Sequence, residues 1–178
     1  MGFGWNYEDV GEYIKENNID LEVVEPSDFE HGVYETKFYS KKYNVRFLCD
    51  GLLSYTDKRG NKEYMIFEIK TCGRNKFYAL KDVLDEHKDQ GICYCTLLGV
   101  KKELFFYSER DMMGKKAFIF EPTEKDKEAL IKKLEYGNEC VQNNIVPKKP
   151  SESADNKFCQ YCNYQHICQQ HGDNEVQL

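Results

Sequence analysis

No apolar run in this 178-residue chain approaches the ~18–20 residues a bilayer-spanning helix needs. The opening stretch, Met1-Gly2-Phe3-Gly4-Trp5-Asn6, has no basic n-region and no apolar h-region, so a secretory leader is not expected and the cytoplasm is the expected location. Internal repeats and long low-complexity stretches are absent too, which excludes repeat arrays. Positive charge is short overall, with 25 Lys and Arg against 31 Asp and Glu, a net of −6. That balance excludes a uniformly basic surface. It does not exclude a local basic track, because residues 1–35 hold ten acids and one Lys, and residues 36–178 carry 24 bases against 21 acids. Lys37, Lys41, Lys42, Arg46, Lys58, Arg59 and Lys62 are the candidates for such a track.

What is present describes a globular domain with a real core: hydrophobic residues are 40% and aromatics 14%. Apolar positions Tyr7, Val10, Tyr13 and Ile14 have helical spacing. Residues 34–40 and 44–55 read as strands. A turn at 56–61 with Gly60 and Asn61 then leads to a third strand at 63–71, rich in β-formers. The last two strands are expected to form an antiparallel hairpin. Residues 77–98 turn helical, with a break before Asp85. Two short strands follow at 103–108 and 117–120. Thr123 with Asp126 resembles a capping box in acidic form, opening a helix to about Gln142 with Leu130, Leu134 and Val141 on one face. The pattern predicts an α/β domain on a mixed central sheet flanked by helices, with a small C-terminal cysteine module. The expected partition is an acidic helical segment at 1–33, a core at 34–143, and a linker with the cysteine module at 144–178. Trp5 and Phe105-Phe106-Tyr107 are expected in the core. Cys72, Cys93 and Cys95 are expected as small buried hydrophobes.

Three side chains in this frame carry chemistry. Glu68 and Lys70 stand at i and i+2 of the third strand and so share a face. Asp50, followed by Gly51 at the end of the second strand, reaches that face if the hairpin pairs. Two carboxylates and an ammonium on one patch of sheet suit phosphodiester hydrolysis with Mg²⁺ or Mn²⁺. Asp50, Glu68 and the Ile69 carbonyl would be hard-oxygen ligands, and Lys70 would orient water and stabilise the oxyanion. The spacing alone also fits a surface ion pair. On the next helix, Gln90 and Tyr94 lie four apart on one face, which fits either a site or simple packing on the sheet.

The order Asp50, Glu68-Ile69-Lys70, Gln90 with Tyr94 resembles the RecB-like branch of the PD-(D/E)XK nucleases, which includes the AddB-type nuclease domains and the CRISPR-associated adaptation exonucleases. The stretch Glu35-Thr36-Lys37-Phe38-Tyr39-Ser40 looks like the strand that precedes the Asp in that family. The resemblance runs from about Tyr34 to Cys168. It implies a restriction-endonuclease-like core and a metal-dependent DNA nuclease, an exonuclease acting on DNA ends or single strands, with Gln90 and Tyr94 near the active site and the DNA. It also implies an upstream His ligand, for which His31 stands as the candidate and Glu30 as a substitute. DNA is the implied partner, within a larger recombination, repair or CRISPR complex, and a homo-oligomer stays open. No helicase or motor segment is present, so the chain cannot couple cleavage to unwinding by itself.

The late cysteines Cys159, Cys162 and Cys168 follow a linker with Pro147 and Pro150. Their spacing looks like the C-terminal iron–sulfur motif of the same nucleases, in which three late cysteines join an early one around a 4Fe–4S cluster. No cysteine precedes Cys49 here. With His171 the module reads Cys₃His, a set that suits structural Zn²⁺, and His166 and Cys140 are other local candidates. Zinc and iron–sulfur both stay open. A catalytically inactive relative, acting as a DNA-binding or protein-assembly module, is the competing function. A zinc-containing interaction protein with an accidental Glu-x-Lys ranks behind it.

Overall fold

The computed structural model describes residues 5–32, 35–147, 161–167 and 176–177. The chain forms two compact units, residues 1–131 and 132–178.

The first unit is mixed α/β. In chain order it contains β1 (Asn6–Glu8), α1 (Val10–Glu16), β2 (Glu22–Glu25), a 3-10 turn (Phe29–His31), β3 (Thr36–Ser40), β4 (Val45–Cys49), β5 (Gly51–Thr56) and β6 (Lys62–Cys72). After these come α2 (Arg74–Ala79), α3 (Asp85–Leu97), β7 (Glu103–Glu109), β8 (Lys115–Phe120) and the start of α4 (Glu124–Gln142). Five strands make the central sheet in the order β1-β5-β6-β7-β8, and β2-β3-β4 form a separate three-stranded sheet. Among the described residues the single parallel pairing is β6 with β7, joined through α2 and α3. β5 and β6 form the expected antiparallel hairpin, from Gly51 opposite Phe67 to Thr56 opposite Lys62. Its turn is shaped by Asp57, whose Oδ1 accepts the Arg59 and Asn61 amides at 2.8 Å each. Gly60 supplies φ +88°, which side-chain-bearing residues rarely adopt.

Four sequence expectations need correction. The strand expected over 44–55 breaks at Asp50: β4 belongs to the three-stranded sheet and β5 to the central one. The helical spacing from Tyr7 begins only at Val10, because Tyr7 is in β1 opposite Leu53, and Asp9 caps the helix through the Glu12 amide at 2.7 Å. β1 therefore ties the acidic N-terminal stretch into the central sheet. Trp5 is 48% exposed and not in the core, and Val141 is 61% exposed while its neighbour Cys140 is buried.

One face of the central sheet carries the core under α3. Ile66, Glu68 and Lys70 of β6 alternate onto it, with Glu103, Phe105 and Tyr107 of β7. Phe105 and Tyr107 are fully buried with Cys72, Phe77, Leu80 and Val83. Phe105 and Tyr107 thus lie in the core as expected, whereas Phe106 is only half-buried. Cys95 is buried, and Cys93 is half-buried. Thr123 and Asp126 form the acidic capping box, with the Asp126 carboxylate 2.6 Å from the Thr123 hydroxyl and 2.9 Å from the Thr123 amide.

In the second unit, β9 (Ile145–Val146) pairs antiparallel with β10 (Val176–Gln177). Cys162 is exposed. Cys159, Cys168 and His171 lie outside the described residues. No helix among the described residues is long and apolar enough to cross a membrane.

Candidate active site

The break at Asp50 builds the site. β5 begins only at Gly51, opposite Phe67, so beyond that point the edge of β6 has no strand partner on this side among the described residues. Asp50 fills the gap with its side chain: Oδ2 accepts the Ile69 amide at 2.8 Å. A strand residue turns its N–H and C=O to the same edge, so the Ile69 carbonyl faces the edge where the Asp50 carboxylate sits. The corner is pinned by Tyr7, whose hydroxyl donates to the Asp50 carbonyl at 2.6 Å. The Tyr7 ring lies so close over Gly51 that a Cβ there would meet it at 2.6 Å, so a larger residue at 51 would displace the ring from this position.

Glu68, Lys70, Gln90 and Tyr94 form one hydrogen-bonded chain. The Lys70 ammonium donates to Glu68 Oε1 and to Gln90 Oε1, each at 2.7 Å. The Gln90 amide nitrogen lies 3.0 Å from Glu68 Oε1 and 2.6 Å from the Tyr94 hydroxyl. Gln90 thus reads Lys70 with its oxygen and Glu68 with its nitrogen, which a carboxylate or an ammonium in its place could not do. The Glu68 side chain is 6% exposed and Lys70 18%, so the pair sits in low dielectric. Burial raises the Glu68 pKa above the usual carboxylate range; the bond from Lys70 opposes this, and repulsion from Asp50 adds to it. Burial likewise raises the Tyr94 phenol, which stays protonated.

Two residues that the motifs do not single out belong to the same face. Glu103 opens β7 opposite Ile66 and is fully buried. Among the described residues neither of its carboxyl oxygens has a hydrogen-bond partner, and Glu68 Oε2 has none either. Burial, with repulsion from Glu68, pushes the Glu103 pKa up to about 8, so the group is mostly a neutral acid at pH 7. Gly91 makes room for it: a Cβ there would stand 2.8 Å from Glu103 Oε2 and 3.0 Å from Phe120 Cδ1. His87, one turn before Gln90 on α3, lies with its Nδ1 2.7 Å from the Tyr107 hydroxyl. The sequence carries faint signals for both: a charged residue at a core position of an apolar strand, and a histidine on the Gln90 face of a helix.

His31 is not part of this cluster. Its Nδ1 is 2.7 Å from Asp28 Oδ2 and its side chain is 77% exposed, on the 3-10 turn. Glu30 is exposed on that same turn. The expected basic track is partly neutralised: Lys37 pairs with Glu25 at 2.8 Å, Lys41 with Glu22 at 3.3 Å and Lys62 with Glu8 at 3.0 Å.

Among the described residues, no three of His, Cys, Asp and Glu gather as a ligand set. A cation at this corner would rest on the Asp50 and Glu68 carboxylates, the Ile69 carbonyl, water and substrate. That hard-oxygen, few-carboxylate set suits Mg²⁺ or Mn²⁺. The buried, unpartnered Glu68 Oε2 is the observation that fits such an ion.

No family model matches the chain, and no curated protein matches it. Among solved structures, the chain aligns with the crystal structure of SSO0001 at 22% identity and a TM-score of 0.40. The alignment covers 88% of this chain and 64% of that one, so the chain spans a little under two thirds of SSO0001. At that TM-score the likeness bears on neither fold nor function.

Proposed function

We propose that the chain is a metal-dependent deoxyribonuclease of the RecB-like PD-(D/E)XK kind, an exonuclease acting on DNA ends or single strands. The observation that carries this reading is the convergence on residues 68–70 of β6: Glu68, Lys70, Gln90 and Tyr94 are linked by bonds of 2.6–3.0 Å, and Asp50 accepts the Ile69 amide at 2.8 Å. A bound Mg²⁺ or Mn²⁺ would supply Lewis acidity toward the phosphoryl group. The chain's own groups do the rest. Asp50 and Glu68 hold the negative charge that attracts the cation. An ammonium has three hydrogens, and Lys70 spends two on Glu68 and Gln90, so one remains for a water or a phosphate oxygen. Gln90 fixes the Lys70 position, and Tyr94 fixes Gln90. Preorganised donors of this kind stabilise charge that develops in the transition state.

The late cysteines with His171 are proposed to hold either a structural Zn²⁺ or a 4Fe–4S cluster, outside the described residues. DNA is the proposed partner, within a recombination, repair or CRISPR assembly. One observation favours a second reading, a relative that binds DNA or assembles with proteins without cutting: His31 pairs with Asp28, which leaves the corner short of a histidine ligand.

The test is cleavage of end-labelled single- and double-stranded DNA with Mg²⁺ and Mn²⁺, wild type beside Lys70→Ala. Metal-dependent cutting that falls at least ~10²-fold in the variant is expected, the scale of losing one oxyanion donor. Cutting that survives the substitution refutes the site, and absence of cutting by wild type leaves the non-enzymatic reading.

A further inference from the structure

We propose that His87 is a phosphate-binding residue, whose Nε2–H donates to a non-bridging oxygen of a nucleic-acid strand lying over Lys70. This inference rests on the nuclease reading above and deepens it by naming a contact to substrate.

Tyr107 sets the tautomer of His87. The Tyr107 hydroxyl accepts the Leu84 amide at 3.3 Å. Its own hydrogen is then available for His87 Nδ1, 2.7 Å away. Nδ1 therefore acts as an acceptor, and in a neutral ring the proton sits on Nε2. The ring is held in orientation as well. It stacks on Phe105 at 6.2 Å and 17° and on Tyr107 at 5.6 Å and 29°, and both of those rings are fully buried.

Nε2 has no hydrogen bond among the described residues. The nearest acidic oxygen, Glu86 Oε1, is 3.8 Å away and is taken by Lys76 at 2.7 Å. The His87 side chain is nonetheless 20% exposed, so the ring is not sealed from solvent. Burial, with the Lys70 charge beside it, lowers the ring's pKa and keeps it neutral at pH 7. A phosphate placed here meets an ammonium and an aligned N–H donor together. His87, Gln90 and Tyr94, at i, i+3 and i+7, then form one helical stripe facing the substrate side of β6.

The experiment uses the full chain. Long-range ¹H–¹⁵N spectra of the imidazoles should show His87 as the Nε2–H tautomer, with a shift when inorganic phosphate is added. In Tyr107→Phe the tautomer should become mixed. A short fluorescein-labelled single strand in Ca²⁺ should bind His87→Phe about tenfold more weakly than wild type. The KM for cleavage should rise by a similar factor with kcat little changed, and His87→Gln, which keeps a donor, should recover part of the loss. An Nδ1–H tautomer, or a His87 signal unmoved by phosphate, overturns the inference even if the protein cuts no DNA. Normal cutting with His87→Phe unchanged in KM and binding overturns it while leaving the nuclease reading in place. A wild type that neither binds nor cuts overturns the nuclease reading and this inference with it.

Discussion

Replacing Glu103 with Gln should make the protein more stable at neutral pH and remove a specific part of its pH dependence. The carboxyl is fully buried, neither oxygen has a partner among the described residues, and its pKa is raised from 4.5 to about 8. A carboxyl raised in the folded state gives its full contribution below the unfolded value, near 4.5. That contribution is lost as pH rises toward 8, because the unfolded chain releases the proton and the folded chain keeps it. At pH 7 the lag is roughly 2.5 units, and at 1.36 kcal/mol per unit the wild type forgoes on the order of 3 kcal/mol relative to pH 4.5. Glutamine has nearly the shape of the neutral acid and nothing to ionise. The difference in unfolding free energy between Glu103→Gln and wild type should therefore grow by about 3 kcal/mol from pH 5 to pH 7.5. Urea titrations followed by far-UV circular dichroism at several pH values, in EDTA to exclude divalent ions, measure it. Glu68 is shifted in the same direction, but it is present in both proteins and cancels in the comparison. Parallel pH profiles for the two proteins would refute the picture of Glu103 as a buried neutral acid.

Two further substitutions probe the same corner. Asp50→Ala should abolish calorimetric Mn²⁺ binding and also free the Ile69 amide, while the circular dichroism spectrum stays that of wild type; retained binding would place the cation elsewhere. Gly91→Ala should cost about 1–3 kcal/mol in urea unfolding, because the added methyl would stand 2.8 Å from Glu103 Oε2 and 3.0 Å from Phe120 and must push α3 off the sheet.

Local patterns show in the sequence and spatial partnerships do not. The β5–β6 hairpin is legible because the turn residues Asp57, Gly60 and Asn61 separate two stretches rich in β-formers. Glu68 with Lys70, and Gln90 with Tyr94, are legible because period-two and i,i+4 spacings place each pair on one face. The break at Asp50 leaves only the Asp50-Gly51 dipeptide as a local signal between two β-rich stretches, and only the third dimension shows β4 and β5 parting into different sheets. β1 is three residues long, too short for any periodicity, and its role depends on Tyr7 reaching across 43 residues to Asp50. Glu103 reads as an ordinary charged start to an apolar strand until the parallel pairing sets it opposite Ile66, one step from Glu68.

The acidic N-terminal stretch changes where nucleic acid should be sought on the surface. Counting charges along the chain makes residues 36–62 look like a basic track facing away from an acidic appendage. In the fold the two are interleaved, because β1 pairs with β5 and β2 pairs with β3, and Glu8, Glu22 and Glu25 each come to within 3.3 Å of a lysine of that track. Five of those six side chains are between a third and three quarters exposed or close to it, and pairs of that kind contribute roughly 0–1 kcal/mol each. They are therefore too weak to explain the fold, which the strand pairings and the core already hold. Their consequence is electrostatic: they cancel positive potential on the β2–β3–β4 sheet and at the start of β6. The Lys70 end of β6 is no more basic by itself, since the Asp50 and Glu68 carboxyl groups stand beside its one ammonium. There Lys70 is coupled to Glu68, the nearby Glu103 is mostly protonated at pH 7, and a neutral His87 offers a donor. A polyanion at that end of the strand is therefore expected to depend on the cation proposed for Asp50 and Glu68, whose charge would reverse the local balance.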